Sequence, residues 1–111
     1  MSPNSKRILS VGLVCWDVVH VVRSFPLEDT DQRSVDQYSS RGGNASNSAT
    51  VLSLLGEEVS YLGTLAQGTP EQSLIENDFV KHGIDVEHCI RHEGCVCPNS
   101  CVIVNAQNAS R

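Results

Sequence analysis

Basic charge is scarce in this sequence: eight Lys and Arg stand against thirteen Asp and Glu, for a formal net charge of −5. The few basic residues are scattered, which argues against a nucleic-acid footprint and favours small, neutral partners. The chain also lacks an apolar run of the ~20 residues that a membrane-spanning helix needs. Its longest candidate, residues 8–16, is interrupted by Gly12 and followed by Asp17 and His20. Lys6-Arg7 ahead of that run imitates the start of a signal peptide, but no small-x-small cleavage site follows, so no membrane association is expected and the location should be cytoplasmic. No Gly-x4-Gly-Lys-Ser/Thr loop is present, which removes one common phosphate cradle. Cysteine is not rare, yet its five copies are an odd number without an export signal, so free thiols are expected rather than a disulfide framework. His88, His92, Cys95, Cys97 and Cys101 fall close together, but zinc sites usually present C-x2-C or H-x3-H pairs on knuckles and helices, a pattern that Cys95-x-Cys97 with Cys101 on a strand fits poorly, and no metal site is assigned.

What is present centres on Arg41-Gly42-Gly43-Asn44-Ala45-Ser46-Asn47-Ser48. Two adjacent glycines permit a tight turn and a close backbone approach that a Cβ would obstruct. The helix-like run 49–55 follows directly, so Asn44, Ser46 and Asn47 are placed either to cap its unpaired N–H groups or to offer amides and hydroxyls to a ligand. Asn44 and Asn47 are three apart, which puts both amides on one helical face. Locally, a plain capped turn and a polar ligand site remain equally open.

With 111 residues the chain is long enough for one small domain with a core. Residues 8–13 read as a central parallel strand buried on both faces, with Asp17 just past its end, where ligands of open α/β sheets bind. Among Val14, Trp16, Val18 and Val19 a carboxylate needs partners; it either accepts from ligand hydroxyls or faces water from an edge strand. Residues 14–23 continue extended as a different sheet, 25–32 form a loop, and 33–41 form a second strand. A helix over 44–55 would bury Ala45, Ala49, Leu52 and Leu55 and end at Gly56. Residues 59–66 read as the next parallel strand. Thr69 then caps and Pro70 opens a helix through about His82, stopped by Gly83 and buried through Leu74, Ile75 and Phe79. Residues 86–90 would be the third core strand, and 100–106 another strand before a turn at 107–111. Strands alternating with helices imply an α/β fold with a parallel sheet.

A short strand with an aspartate near its end, Val11-Gly12-Leu13-Val14-Cys15-Trp16-Asp17, ahead of an Arg-Gly-Gly-Asn-Ala-Ser-Asn helix start resembles the ribokinase-type (PfkB) carbohydrate kinases, and within them the ketohexokinase, or hepatic fructokinase, branch. The likeness runs through nearly the whole chain, including 49–56 and 102–105, and covers only the front portion of such an enzyme. It implies the N-terminal part of a ribokinase-like fold: a parallel βαβ core over 1–13 and 43–92, and a projecting β-sheet lid over 14–42 and 96–111. The lid would close over the sugar and clasp a second subunit in a homodimer, with Trp16 and Tyr38 as candidate contacts.

The same resemblance implies transfer of the γ-phosphate of ATP, with Mg2+, to the C1 hydroxyl of fructose or a related ketose. Asp17, Gly43, Asn44 and Asn47 would hold the sugar, and Arg111 would reach the nucleotide phosphates, work that suits its planar donor fork. Kinases of this family take their catalytic base and anion-cradling helix from a C-terminal Gly-Ala-Gly-Asp segment. No Gly-x-Gly-Asp occurs among these residues, so no catalytic residue is assigned, the chain reads as truncated, and on its own it is expected to be inactive. Two alternatives stay open: a non-catalytic short product that dimerises through the lid, and a ribokinase-family kinase for another sugar. Asn44 bears on the second, because ribokinase proper is expected to carry lysine there.

Overall fold

The computed structural model describes residues 6–111, so the first five residues of the expected core segment 1–13 lie outside the described residues. Nine elements follow one another: β1 (Arg7–Val11), β2 (Cys15–Val22), β3 (Asp36–Gly42), α1 (Asn44–Leu54), β4 (Glu58–Leu62), β5 (Thr64–Ala66), α2 (Pro70–Lys81), β6 (Ile90–His92) and β7 (Asn99–Asn105). They form three small sheets. β1 pairs parallel with β4, placing Ile8 beside Val59 and Ser10 beside Tyr61. β5 pairs parallel with β6 across α2, which makes a βαβ unit. β2 is the middle of a separate sheet, antiparallel to β3 and parallel to β7, in the order β3-β2-β7.

Local chemistry explains both helices. Thr69 caps α2, its Oγ1 accepting from the Gln72 N–H at 3.2 Å, and Pro70 supplies a first position that needs no donor. Glu71 in the first turn and Lys81 in the last complement the helix dipole. Beyond α1 and α2 the chain turns at Gly56 and Gly83, both at positive φ.

The core lies between α1, α2 and the parallel strands. Tyr61 and Phe79 stack with ring centroids 4.8 Å apart, and Ile75, Ala49, Val59, Ile84 and Leu65 close around them. Complete burial of Phe79 or Ile75 stabilises the fold by roughly 1.5–3 kcal/mol each. All five cysteines are free thiols.

Several expectations are corrected here. β1 is not buried on both faces: Leu9, Val11 and Leu13 are 56%, 63% and 59% exposed, because β4 is its only partner and α1 covers a single face among the described residues. Asp17 lies within β2 rather than just past the first strand. The run 59–66 is two strands in two sheets, broken at Gly63, where a Cβ would collide with the Tyr61 hydroxyl and the Gly12 carbonyl. Residues 86–90 are not a strand. Asp85 makes a lone bridge to Ser60, Glu87 and His88 turn, Cys89 is buried, and only Ile90–His92 pairs. Leu55 and Leu74, expected on buried faces, are exposed, since no element among the described residues covers those flanks. β3 begins at Asp36, three residues later than expected.

Candidate functional site

The ends of β1 and β3 and the starts of β2 and α1 meet at one place. Cys15 pairs with Gly42 and Asp17 with Ser40, so the Asp17 side chain leans over the end of β3. A Cβ on Gly42 would fall on the Asp17 carboxylate, with Cγ at 2.9 Å and Oδ1 at 3.2 Å. Glycine is therefore what allows the carboxylate to lie there. Asp17 is half-buried; its Oδ1 accepts from the Ser100 hydroxyl and from the Cys15 thiol at 3.4 Å. Its Oδ2 has no hydrogen-bond partner among the described residues and remains an available acceptor. Burial, then the hydrogen bond to Asp17 and its charge, push the Cys15 thiol up, so it stays a neutral donor to the carboxylate.

Gly43 follows as the N-cap of α1, at φ 98°, a conformation that favours glycine. A Cβ there would also meet the Leu13 carbonyl carbon at 2.9 Å and Val14 Cα at 3.0 Å, so this turn presses directly on the β1–β2 connection. The first intrahelical bond runs from the Asn47 N–H to the Gly43 carbonyl at 2.8 Å, and no side chain caps the N–H groups ahead of it. Of the two alternatives left open for Asn44, Ser46 and Asn47, capping of the helix is therefore not made. Ser46 is fully buried and receives the Arg41 guanidinium instead, while Asn44 and Asn47 are exposed with neither amide bonded among the described residues. They share a face of α1, three positions apart. One free carboxylate oxygen, uncapped helical N–H groups and two unengaged amides are a donor and acceptor set suited to a polyhydroxylated molecule.

Two residues that received no role from the sequence hold this corner. Arg41, whose side chain is only 2% exposed, donates from Nε to Asp78 Oδ2 at 2.9 Å, from Nη1 to the Ser46 carbonyl at 3.1 Å and to the Ser46 hydroxyl, and from Nη2 to Thr50 Oγ1 at 2.6 Å. Its guanidinium lies 4.0 Å above the Phe79 ring. Burial lowers its pKa and the Asp78 charge works against that shift. The second is Tyr61, whose hydroxyl donates to the Gly12 carbonyl at 2.6 Å and fixes the end of β1. Burial pushes its pKa up to about 12, so it remains a neutral donor. The available signals were weak: Ser46 and Thr50 form a hydroxyl pair at helical spacing, and Asp78 sits beside the apolar Phe79.

Arg111 stands apart from this corner. In the parallel register Asp17 pairs with Ser100 and Val22 with Asn105, so the turn after β7 lies at the opposite end of the sheet. Arg111 lines a surface hollow with Phe25 and with Cys101, Val102 and Ile103 in the middle of β7. No helix among the described residues is long and apolar enough to cross a membrane.

The profile of the pfkB family carbohydrate kinases matches residues 5–111. The chain belongs to this family. Among pfkB-type relatives, mouse ketohexokinase is 48% identical over 106 residues, covering 96% of this chain and 35% of the mouse protein. Solved structures agree in fold. Ribokinase from Thermotoga maritima superposes with a TM-score of 0.80 at 20% identity, covering 94% of this chain and 34% of that one. Ribokinase from Cryptococcus neoformans var. grubii, in complex with ADP, gives 0.72 at 16% identity, with 93% and 32% covered. The fold is α/β and ribokinase-like, and the chain spans about a third of the length of these pfkB-family relatives.

Proposed function

We propose that the intact protein is a ketohexokinase-like sugar kinase, transferring the γ-phosphate of ATP, with Mg2+, to the C1 hydroxyl of fructose or a related ketose. The observation that carries this reading is the 48% identity to mouse ketohexokinase across 96% of the chain. In this reading the present chain supplies the sugar-holding half. Asp17 Oδ2 accepts from sugar hydroxyls, Gly43 lets the ligand approach the backbone, and Asn44 and Asn47 supply amides. Arg111 reaches the nucleotide phosphates. The base that takes the proton of the attacking hydroxyl comes from outside these residues, so this chain alone is inactive.

The three-stranded sheet, residues 14–42 with 96–111, serves as the lid, and the rest through residue 92 as the core. The lid also joins two copies in a homodimer. Support comes from β3, whose outer edge is unpaired among the described residues and which carries the exposed Tyr38. The intact enzyme works in the cytoplasm, without nucleic acid or membrane partners.

The test is to capture the endogenous polypeptide with an antibody to residues 44–54, incubate it with ATP and fructose, and locate the phosphate by NMR. Fructose 1-phosphate with one equivalent of ADP is expected. Phosphate transfer only to ribose or a nucleoside would overturn the ketose assignment. No transfer to any sugar, with a dimer still forming, would replace the enzyme with a non-catalytic module.

A further inference from the structure

Arg41 is the only buried charged side chain among the described residues, and its partners are unevenly shared. One acceptor, Asp78, is on α2. The other three all belong to α1: the Ser46 carbonyl and hydroxyl in its first turn and Thr50 Oγ1 one turn further on. α1 begins without a side-chain cap, so its first turn is fixed by few bonds. The Ser10 hydroxyl donates to the Ala45 carbonyl at 2.7 Å, and the remaining ties come from Arg41. In sequence Arg41 is joined through Gly42, which makes room for the Asp17 carboxylate, to Gly43, the N-cap.

We propose that Arg41 is a positioning residue for the sugar site: its guanidinium fork holds the first turn of α1, and with it Asn44 and Asn47, at a set place relative to Asp17. The proposal rests on the reading of those three residues as sugar-holding. A permanently charged, planar group with five donors spans several acceptors on two helices at once, whereas an ammonium on a flexible stem engages them one at a time. The Phe79 ring lies 4.0 Å beneath the guanidinium and backs one face of the fork. Asp78 has a different share in the arrangement: it balances the buried charge without touching α1.

These two roles separate by substitution in the intact enzyme that carries this segment. Arg41→Lys keeps the charge beside Asp78 and loses the fork. Its KM for the ketose should rise about tenfold or more, with kcat at saturating ketose and KM for ATP each within about twofold, because a small displacement of binding groups is costly. Asp78→Asn keeps the bonds to α1; it should lower Tm and leave the ketose KM within about twofold. An unchanged ketose KM in Arg41→Lys overturns the proposal. So does an equal rise in both variants, which would reflect general loosening of the fold. A parent enzyme that phosphorylates no ketose overturns the functional reading instead. In that case amide hydrogen exchange of residues 44–48 decides the geometric claim: faster exchange in Arg41→Lys than in the parent supports it, and equal exchange overturns it.

Discussion

The carboxylate of Asp17 occupies the space in which Gly42 would carry a side chain, with Cγ 2.9 Å from the position of a Cβ. Two residues twenty-five positions apart thereby define the floor of the candidate sugar site. The contact follows from the β2–β3 register, which sets Cys15 against Gly42 and leaves Asp17 on the diagonal.

Gly42→Ala should consequently displace the carboxylate without preventing the strand from forming. The expected cost is about 1–3 kcal/mol of stability from the forced rearrangement. In the intact enzyme the KM for the ketose should rise, since Asp17 Oδ2 no longer points where Gly42 allowed. Denaturant unfolding together with the ketose KM checks this, and an unaltered KM would remove the carboxylate from the sugar site.

Asp17→Ala and Asn47→Ala test the site directly. Each should weaken ketose binding by about 1–3 kcal/mol, the usual cost of leaving a ligand group without its partner. Their stability effects should differ. Asp17 accepts from Ser100 and Cys15, so its loss strips two donors in the three-stranded sheet, whereas the Asn47 side chain is exposed and makes no hydrogen bond among the described residues. Unchanged ketose affinity in both variants would defeat the assignment.

α2 was readable because its signals are local: a threonine, a proline at the first position and a glycine after the last turn. Thr69→Ala should remove the bond to the Gln72 N–H and cost about 1 kcal/mol. In a domain of this size that lowers Tm by roughly 4–8 °C, measurable by calorimetry. An unshifted Tm would mean that α2 is held by packing alone.

The same locality explains what stayed hidden. The strands of the three-stranded sheet, the α/β order and the Gly-Gly-Asn helix start are short-range patterns and appear in the structure. The exposure of Leu9, Val11 and Leu13 depends on which elements cover β1, and alternation along one strand does not carry that information. The strand expected at 86–90 was placed by β-rich residues, whereas pairing is decided by β5, which stops at Ala66 and admits only Ile90–His92. Arg41 was visible as a letter of the motif, but its work is done by Asp78, thirty-seven positions away, and by Phe79 beneath it. Residue type left capping and ligand binding by Asn44 and Asn47 equally open; after the backbone turn at Gly43 both amides are unengaged among the described residues.

Tyr61 gives a prediction in pH. Its folded pKa is pushed up to about 12, chiefly by burial, against an unfolded value near 10. Below pH 10 both states hold the proton and the contribution of the hydroxyl is intact. As pH rises past 10 the unfolded chain releases its proton while the folded chain keeps it until about 12, so the unfolded state binds fewer protons and stability falls. The two-unit separation corresponds to about 3 kcal/mol lost across that window. Tyr61→Phe lacks the titrating group, and at neutral pH it should be less stable by about 1 kcal/mol through loss of the bond to the Gly12 carbonyl. The deficit should shrink above pH 10 and then reverse, because the variant is spared the alkaline loss. All other groups are common to the two proteins, so the comparison is read from the difference between their profiles. Urea midpoints from pH 8 to 11.5 provide the measurement. Parallel profiles would show that Tyr61 ionises as easily folded as unfolded, and the hydroxyl would then not be held under Gly12 as a neutral donor.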